Sequence, residues 1–158
     1  MSGKGNRGGL IFVLLNTFVS AAFADGIRLV TDDELARERE YASRIDTQFV
    51  ARSVSVPGAP VIEVRNPKLD DTLRTPFPIR ISFKAREGAE VVPSTFKVFY
   101  GYLKLDITDR VVQKVTVAKE GLIVEEANIP AGSHKLLLQV RDSMDRVGEM
   151  TLSFKVEQ

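Results

Sequence analysis

Hydrophobic and polar residues alternate along three segments in the second half of the chain. The segments are 79–84, 134–141 and 150–157, and in each of them large apolar side chains recur at every second position. Successive side chains of a β-strand point to opposite faces of the sheet, so a period of two predicts a strand with one buried face. The predicted inward positions are Ile79, Ile81, Phe83, His134, Leu136, Leu138, Val140, Met150, Leu152, Phe154 and Val156.

Weaker apolar runs predict further strands between these segments. They cover residues 61–64, 96–100, 103–107, 114–118 and 122–126, and glycine or proline residues separate them. These two residue types are the usual punctuation of turns. Seven or eight short strands in about 100 residues, with no helical period between them, predict an all-β fold, a two-layer antiparallel β-sandwich.

One helix is predicted before the strands. The hydroxyl of Thr31 can accept a hydrogen bond from the amide three residues on while Glu34 reaches back, which is the arrangement called a capping box. A helix from about Asp32 to Asp46 follows, and its apolar residues form a narrow stripe that needs a surface to lie on. The stripe consists of Leu35, Ala42, Ile45 and Phe49, and residues 53–60 read as a linker to the strands.

The first 24 residues have the pattern of a cleavable signal peptide. Lys4 and Arg7 precede an apolar run over residues 10–19, and Ala22-Phe23-Ala24 places small residues just before Asp25. A positive start, a short hydrophobic stretch and small residues at the cleavage site are what signal peptidase recognises. We therefore predict export to the periplasm or the medium, with cleavage after Ala24.

An uncleaved membrane anchor is the alternative for this leader. The apolar run is interrupted by Asn16 and Thr17 and is shorter than the roughly 20 residues that span a bilayer. The predicted division is therefore a leader (1–24), a charged helix with its linker (25–59) and a sandwich domain (60–158). No later segment resembles a membrane span, so we expect no stable membrane insertion after cleavage.

Charge and cysteine content narrow the function classes. Removing residues 1–24 takes away two basic residues and no acidic one, so 22 basic and 21 acidic residues become 20 and 21. A nucleic-acid-binding protein normally carries a clear basic surplus, so nucleic acid is not an expected partner. The chain has no cysteine. Disulfides, thiol catalysis, a lipidated cysteine and cysteine-bound metal are therefore excluded.

Residues 96–156 resemble the second half of the immunoglobulin-like modules of bacterial exported and surface proteins, which are close in architecture to fibronectin type III domains. The resemblance is carried by Phe96–Tyr100, Leu105–Thr108, Gly121–Val124, Ile129–His134 and Leu138–Asp142. It implies an immunoglobulin-like sandwich and no particular chemistry, because such modules serve adhesion, carbohydrate binding and spacing on one scaffold. Residues 143–146 depart from the pattern, since Gly-Asn commonly follows the strand-ending aspartate in these modules.

His134 is the only histidine, and its position favours a structural role. It opens a strand directly after a Pro-Ala-Gly corner, where related sandwiches often place a tyrosine that bonds back to the backbone of the corner. The sequence has no Gly-x-Ser-x-Gly elbow, no zinc-binding His-Glu-x-x-His and no phosphate-binding glycine loop. We therefore predict a protein that is not an enzyme and needs no cofactor, with no small-molecule ligand expected.

Two Asp-x-x-Asp-Arg segments are weak candidates for calcium binding. They contain Asp106 with Asp109 and Asp142 with Asp145. Calcium requires six to eight oxygen ligands, and neither spacing is that of a calcium loop. Each pair also carries an adjacent arginine that can neutralise it, and aspartate is common in turns.

Alternation gives the best candidate for a binding surface. If Phe96, Val98 and Tyr100 face the core, Phe99 faces outward, and on the strand of residues 134–141 Leu137 does so too. These two strands lie side by side in sandwiches of this type, so Phe99 and Leu137, called here the outer-face pair, would be neighbours. The polar rim around the pair would be Lys97, Lys135 and Arg141. Tyr102 and Leu103, in the turn after Tyr100, would extend the apolar patch itself.

Three explanations of the outer-face pair remain open. The N-terminal helix folds back so that Leu35, Ile45 and Phe49 cover the pair, since a short isolated helix is marginal in water. Alternatively, the pair docks another envelope protein or a second copy of this chain. In the third case the two faces of the strand are reversed, because a slip of one residue exchanges every side chain.

The function predicted from the sequence is a non-enzymatic binding or structural module that acts through protein–protein contacts in the cell envelope. A carbohydrate- or cell-wall-binding domain is the alternative, although sugar platforms usually display tryptophan, which this chain lacks. A hydrolase with a carboxylate pair is the third class.

Export predicts a shortened mature protein. Mass spectrometry of the protein from an exporting cell should show a chain that begins at Asp25, because the residues at 22 and 24 suit signal peptidase. The substitution Ala24→Arg should abolish the shortening. A full-length chain that stays in the cytoplasm would contradict the predicted export.

Overall fold

The computed structural model describes residues 26–44, 56–68, 72–86 and 88–157. Within these ranges the predicted β-sandwich is confirmed, since two sheets of four and five strands pack face to face around one hydrophobic core. The predicted leader (1–24), Ile45 and Phe49 lie outside the described residues.

The elements follow one another in an order dominated by strands. In chain order they are β1 (Ile27–Arg28), α1 (Asp32–Ser43), β2 (Val61–Asn66), β3 (Leu73–Arg74), β4 (Phe77–Lys84), β5 (Val91–Tyr100), β6 (Leu105–Asp106), α2 (Thr108–Val112), β7 (Gly121–Asn128), β8 (Gly132–Asp142) and β9 (Val147–Glu157). The nine described strands exceed the predicted seven or eight because β1 and β3, at the sheet edges, have only two residues each and therefore no readable period.

The four-stranded sheet has the order β1-β7-β4-β2, and the five-stranded sheet has the order β3-β9-β8-β5-β6. Neighbouring strands are antiparallel except for β1 with β7 and β3 with β9, which are parallel. The predicted adjacency of the strands that carry Phe99 and Leu137 is confirmed, because β5 pairs with β8.

The period of two places the core as the sequence predicts. On β8 the buried residues are His134, Leu136, Leu138, Val140 and Asp142, and the residues between them are more exposed. The inward positions of β4 and β9 are buried in the same way, except that Met150 is only partly buried. The apolar inward residues of β4, β8 and β9 lie in one hydrophobic cluster with Phe96, Val98 and Tyr100 of β5. The inward residues of the other strands of the four-stranded sheet belong to the same cluster. Without cysteine, close packing and the hydrogen-bonded ladders hold the sheets together.

The N-terminal residues also belong to this core. Thr31 and Glu34 form the predicted capping box, in which the hydroxyl of Thr31 accepts from the amide of Glu34 at 3.3 Å and the amide of Thr31 donates to Glu34 at 2.8 Å. Helix α1 ends at Ser43, before the predicted end at Asp46, and residues 45 and 46 lie outside the described part. Leu29, Val30 and Leu35 are buried in the common cluster.

One of the weaker strand predictions is wrong, and a second is right only in part. Residues 114–118 form no strand; they contribute only a single bridge, between Ala118 and Gly121, while Val115 and Val117 pack against the edge of the core. The run 103–107 is a strand only at Leu105–Asp106, and helix α2 follows it at Thr108. A helix of five residues is too short to show a helical period, so no pattern in the sequence predicted it.

Each helix in the described ranges falls short of the length and apolar character that crossing a bilayer requires.

The close packing predicts that removing a buried side chain from the core lowers the free energy of unfolding strongly. The side chain of Leu152 is 1% exposed, so Leu152→Ala should lower the free energy of unfolding by about 2–5 kcal/mol through lost apolar burial and a residual cavity. Urea denaturation measures this change, and Ser153→Ala on the exposed side of the same strand should change it by less than about 0.5 kcal/mol. Equal effects of the two substitutions would contradict the assignment of faces.

Candidate functional site

The outer-face pair is formed by direct neighbours on two adjacent strands. Phe99 on β5 lies opposite Leu137 on β8, and the same row continues to Asp106 on β6 and to Thr151 on β9. Phe96, Val98 and Tyr100 are buried, whereas Phe99 and Leu137 are both partly exposed. The predicted inside and outside assignment of these strands is therefore confirmed, and the two side chains share the outer face of the five-stranded sheet.

A polar row borders the pair toward one end of the strands. Lys97 is exposed and lies opposite Gln139, whose side-chain amide donates to Glu149 on β9 at 2.6 Å. Further along β8, the exposed Arg141 forms an ion pair of 2.7 Å with Asp145 in the turn after the strand. The rim therefore carries both signs of charge, not only the predicted cations.

Lys135 and Tyr102 border the pair at the opposite end. The ammonium nitrogen of Lys135 lies 4.8 Å from the centre of the Tyr102 ring, which is a cation–π distance. Burial lowers the pKa of Lys135, and the positive charge of Lys104 lowers it further. The negative charge of Glu38 acts in the opposite direction. The two side chains thus form one unit beside the outer-face pair.

Helix α1 fixes the turn that carries Tyr102. Glu38 is 6% exposed, and its carboxylate accepts hydrogen bonds from the amides of Tyr102 and Leu103. The preceding Gly101 has φ of 71°, and a Cβ there would collide with the same carboxylate. Only glycine combines this backbone conformation with so close an approach. Glu38 therefore holds the polar end of the candidate surface through backbone contacts.

The other described contacts of α1 lie at the same end of the sandwich. Arg39 donates to the carbonyl of Ala131 at 2.9 Å, and Leu35 is buried close to Gly132. Glu34 accepts two hydrogen bonds from the guanidinium of Arg110 in α2, at 2.8 and 2.9 Å. Leu35 thus enters the core near the corner before β8. The predicted covering of the outer-face pair by Ile45 and Phe49 falls outside the described residues.

His134 makes the structural contacts predicted for it. Its Nε2 donates to the carbonyl of Pro130 at 2.8 Å, and this fixes Nδ1 as the acceptor for the hydroxyl of Tyr100 at 3.1 Å. Burial lowers the pKa of His134. Burial also raises the pKa of Tyr100, to about 12, and the negative charges of Glu38 and Glu34 act in the same direction. Both groups are therefore neutral at pH 7 and tie β5 to the corner before β8.

Three of the four aspartates proposed as weak calcium ligands, Asp106, Asp142 and Asp145, have side-chain partners within the protein. Asp142 is buried and accepts from the amides of Met144 and Arg146, each at 3.0 Å, and from the Arg146 side chain at 2.8 Å. Asp106 accepts from the amide of Thr108 at 2.9 Å. Asp109 is exposed. The neighbouring Arg110, which was predicted to neutralise Asp106 and Asp109, instead forms its ion pair with Glu34. In the described ranges no three acidic or histidine side chains are grouped to hold a metal ion.

A scan against models of known protein families gives no match, and a search of curated protein sequences gives none either.

The Glu34–Arg110 ion pair predicts a pH dependence of stability. The hydrogen bond from Arg110, outweighing burial, lowers the pKa of Glu34 from 4.5 to about 2. A lowered folded-state pKa means that the ionised carboxylate stabilises the fold above pH 4.5, and that this stabilisation is lost as the pH falls toward 2. At pH 7, Glu34→Gln should cost about 2 kcal/mol, and the difference from the unmodified protein should shrink below pH 4.5.

Urea denaturation at several pH values measures the difference. Glu40→Gln is the matched control, because Glu40 pairs with Arg44 on the exposed face of α1 and should contribute little. A cost of Glu34→Gln that is independent of pH would contradict the role of the ion pair.

Proposed function

We propose that this protein is an exported, immunoglobulin-like module that binds another protein of the cell envelope through the outer face of its five-stranded sheet. The leader pattern in residues 1–24 supports export. The strand order supports the immunoglobulin-like assignment, because β5, β8 and β9 form one sheet and β2, β4 and β7 the other, as in that sandwich.

One observation supports the binding surface above all others. Phe99 and Leu137 lie directly opposite each other on the outer face, where solvent-facing positions of a sandwich are normally polar. An aromatic and an aliphatic side chain at the centre of a patch, with charged and amide groups around them, match the anatomy of protein interfaces. Their neighbours in that rim are Lys97, Lys135, Gln139, Arg141 and Glu149.

The shape of the face favours a protein partner. Phe99 and Leu137 belong to a broad surface of paired strands, whereas small-molecule sites are concave and enclose most of their ligand. The mixed charges of Lys97, Glu149 and Arg141 would add orientation more than affinity, since exposed ion pairs contribute only about 0–1 kcal/mol.

The proposal predicts that the outer-face pair can be changed without unfolding the protein. Phe99→Lys with Leu137→Lys should abolish partner capture, because two desolvated anchors are replaced by charges. The melting midpoint should stay within a few degrees, since both side chains lie outside the core. Val56→Lys, at an exposed position before β2, is the matched control and should retain capture.

In-cell photo-crosslinking identifies what covers the face. A crosslinking residue at position 99 should join the chain to one envelope protein, and the adduct should disappear with Leu137→Lys. A crosslinker at the exposed Lys84 on β4 should give no such adduct. Crosslinks from position 99 only to residues 32–50 of the same chain would show an internal cover and contradict the proposed binding.

A further inference from the structure

Strand β7 has a stretch of backbone on its outer edge that pairs with none of the described residues. At its start, Gly121 exchanges two hydrogen bonds with Ala118, of 2.9 and 3.2 Å, and at its end Ala127 and Asn128 pair with β1. The amide and carbonyl of Gly121 thus point away from β4, and alternation along the strand directs those of Ile123 the same way. Among the described residues, no hydrogen bond reaches Ile123 from that side.

A cleft of about 750 Å³ lies beside this stretch. Val115 and Ala118 line one wall, and Ile123, which is 47% exposed, lies on the other. The wall formed by residues 114–118 follows β7 without pairing with it beyond Ala118. The cleft therefore offers apolar side chains and unpaired backbone groups together, which is what an added strand uses.

The charges around the cleft select an acidic occupant. Arg80 lies opposite Ile123 on β4, and Lys114 lies on the facing wall. In the described part of the chain neither side chain forms an ion pair or a hydrogen bond. A third cation, Arg65, is paired with Glu63 at 2.7 Å, and the lining acid is Glu120. Two unpaired cations beside an apolar wall favour a ligand with carboxylates next to apolar groups.

We propose that this cleft binds an extended, acidic peptide segment of a partner protein as an added strand on β7. The backbone of the segment pairs with Ile123, an apolar side chain packs on Ile123 and Val115, and carboxylates face Arg80 and Lys114. Strand β1 shows that this edge of β7 accepts a parallel neighbour, and the added segment continues the same edge. The site lies on the sheet opposite the outer-face pair, so it stands or falls independently of the function proposed above.

Fluorescence anisotropy with labelled peptides tests the proposal on the purified protein. A short peptide of alternating valine and glutamate should bind saturably, and a valine–lysine peptide should not. Arg80→Glu and Lys114→Glu should each weaken binding about fivefold, since each reverses one exposed charge contact. Lys155→Glu makes the same charge change on the other sheet and should leave binding unchanged, as should the double lysine variant of the outer-face pair.

Two further measurements separate strand addition from simple charge attraction. A valine–glutamate peptide with N-methylated alternate amides should lose binding, because it cannot complete the backbone ladder. In the free protein the amide of Ile123 should exchange rapidly with solvent, and the unmodified peptide should slow that exchange. Equal binding of the methylated peptide, no binding of the unmodified one, or an Ile123 amide already protected in the free protein would overturn the proposal.

Discussion

The register of β8 between its two neighbours is the constraint on which the structure depends. Residues 132–141 each lie opposite a residue of β9, while β5 pairs with the other edge of β8. This register directs His134, Leu136, Leu138 and Val140 into the core, and it therefore directs Leu137 outward beside Phe99. A slip of one residue would exchange the two faces of the strand. The same register therefore determines both the burial of the inward row and the exposure of the outer-face pair.

Several polar contacts hold the end of the sandwich near Gly101. Glu38 binds two backbone amides, Glu34 binds Arg110, and His134 joins Tyr100 to the corner at Pro130. Buried polar groups that are satisfied in this way impose a specific geometry, whereas unsatisfied ones would be costly. Leu35 adds an apolar contact at the same place. A short, highly charged helix thereby becomes part of the domain and orients the turn that carries Tyr102.

Local patterns predicted the parts of the fold that local chemistry determines. The alternation in β4, β8 and β9 and the capping box at Thr31 rest on neighbours within a few residues, and all were found. The alternation of Val115 and Val117 led to a wrong prediction of a strand over residues 114–118. A strand needs a partner along its length, and among the described residues this segment has only the bridge at Ala118. Helix α2 was missed for the opposite reason, since five residues complete little more than one turn.

The candidate surface was predictable only in part. Phe99 and Leu137 followed from alternation together with the expected pairing of their strands. The partners Arg110 of Glu34 and Tyr102 of Glu38 lie 76 and 64 residues away in sequence. The sequence around α1 therefore predicted Glu34 only as a capping residue and did not distinguish Glu38 from the exposed charges of the helix. The open edge at Ile123 likewise depends on which strands end beside β7, which a period of two does not encode.

Disulfide trapping tests the register most directly, because the chain has no cysteine of its own. Phe99→Cys with Leu137→Cys places two thiols on opposite residues of one face, within the Cα separation that a disulfide spans. Mild oxidation followed by mass spectrometry should show that this pair closes, and that Phe99→Cys with Leu138→Cys, on opposite faces, does not. Closure of the 99–138 pair in preference to the 99–137 pair would contradict the register and, with it, the outer-face pair.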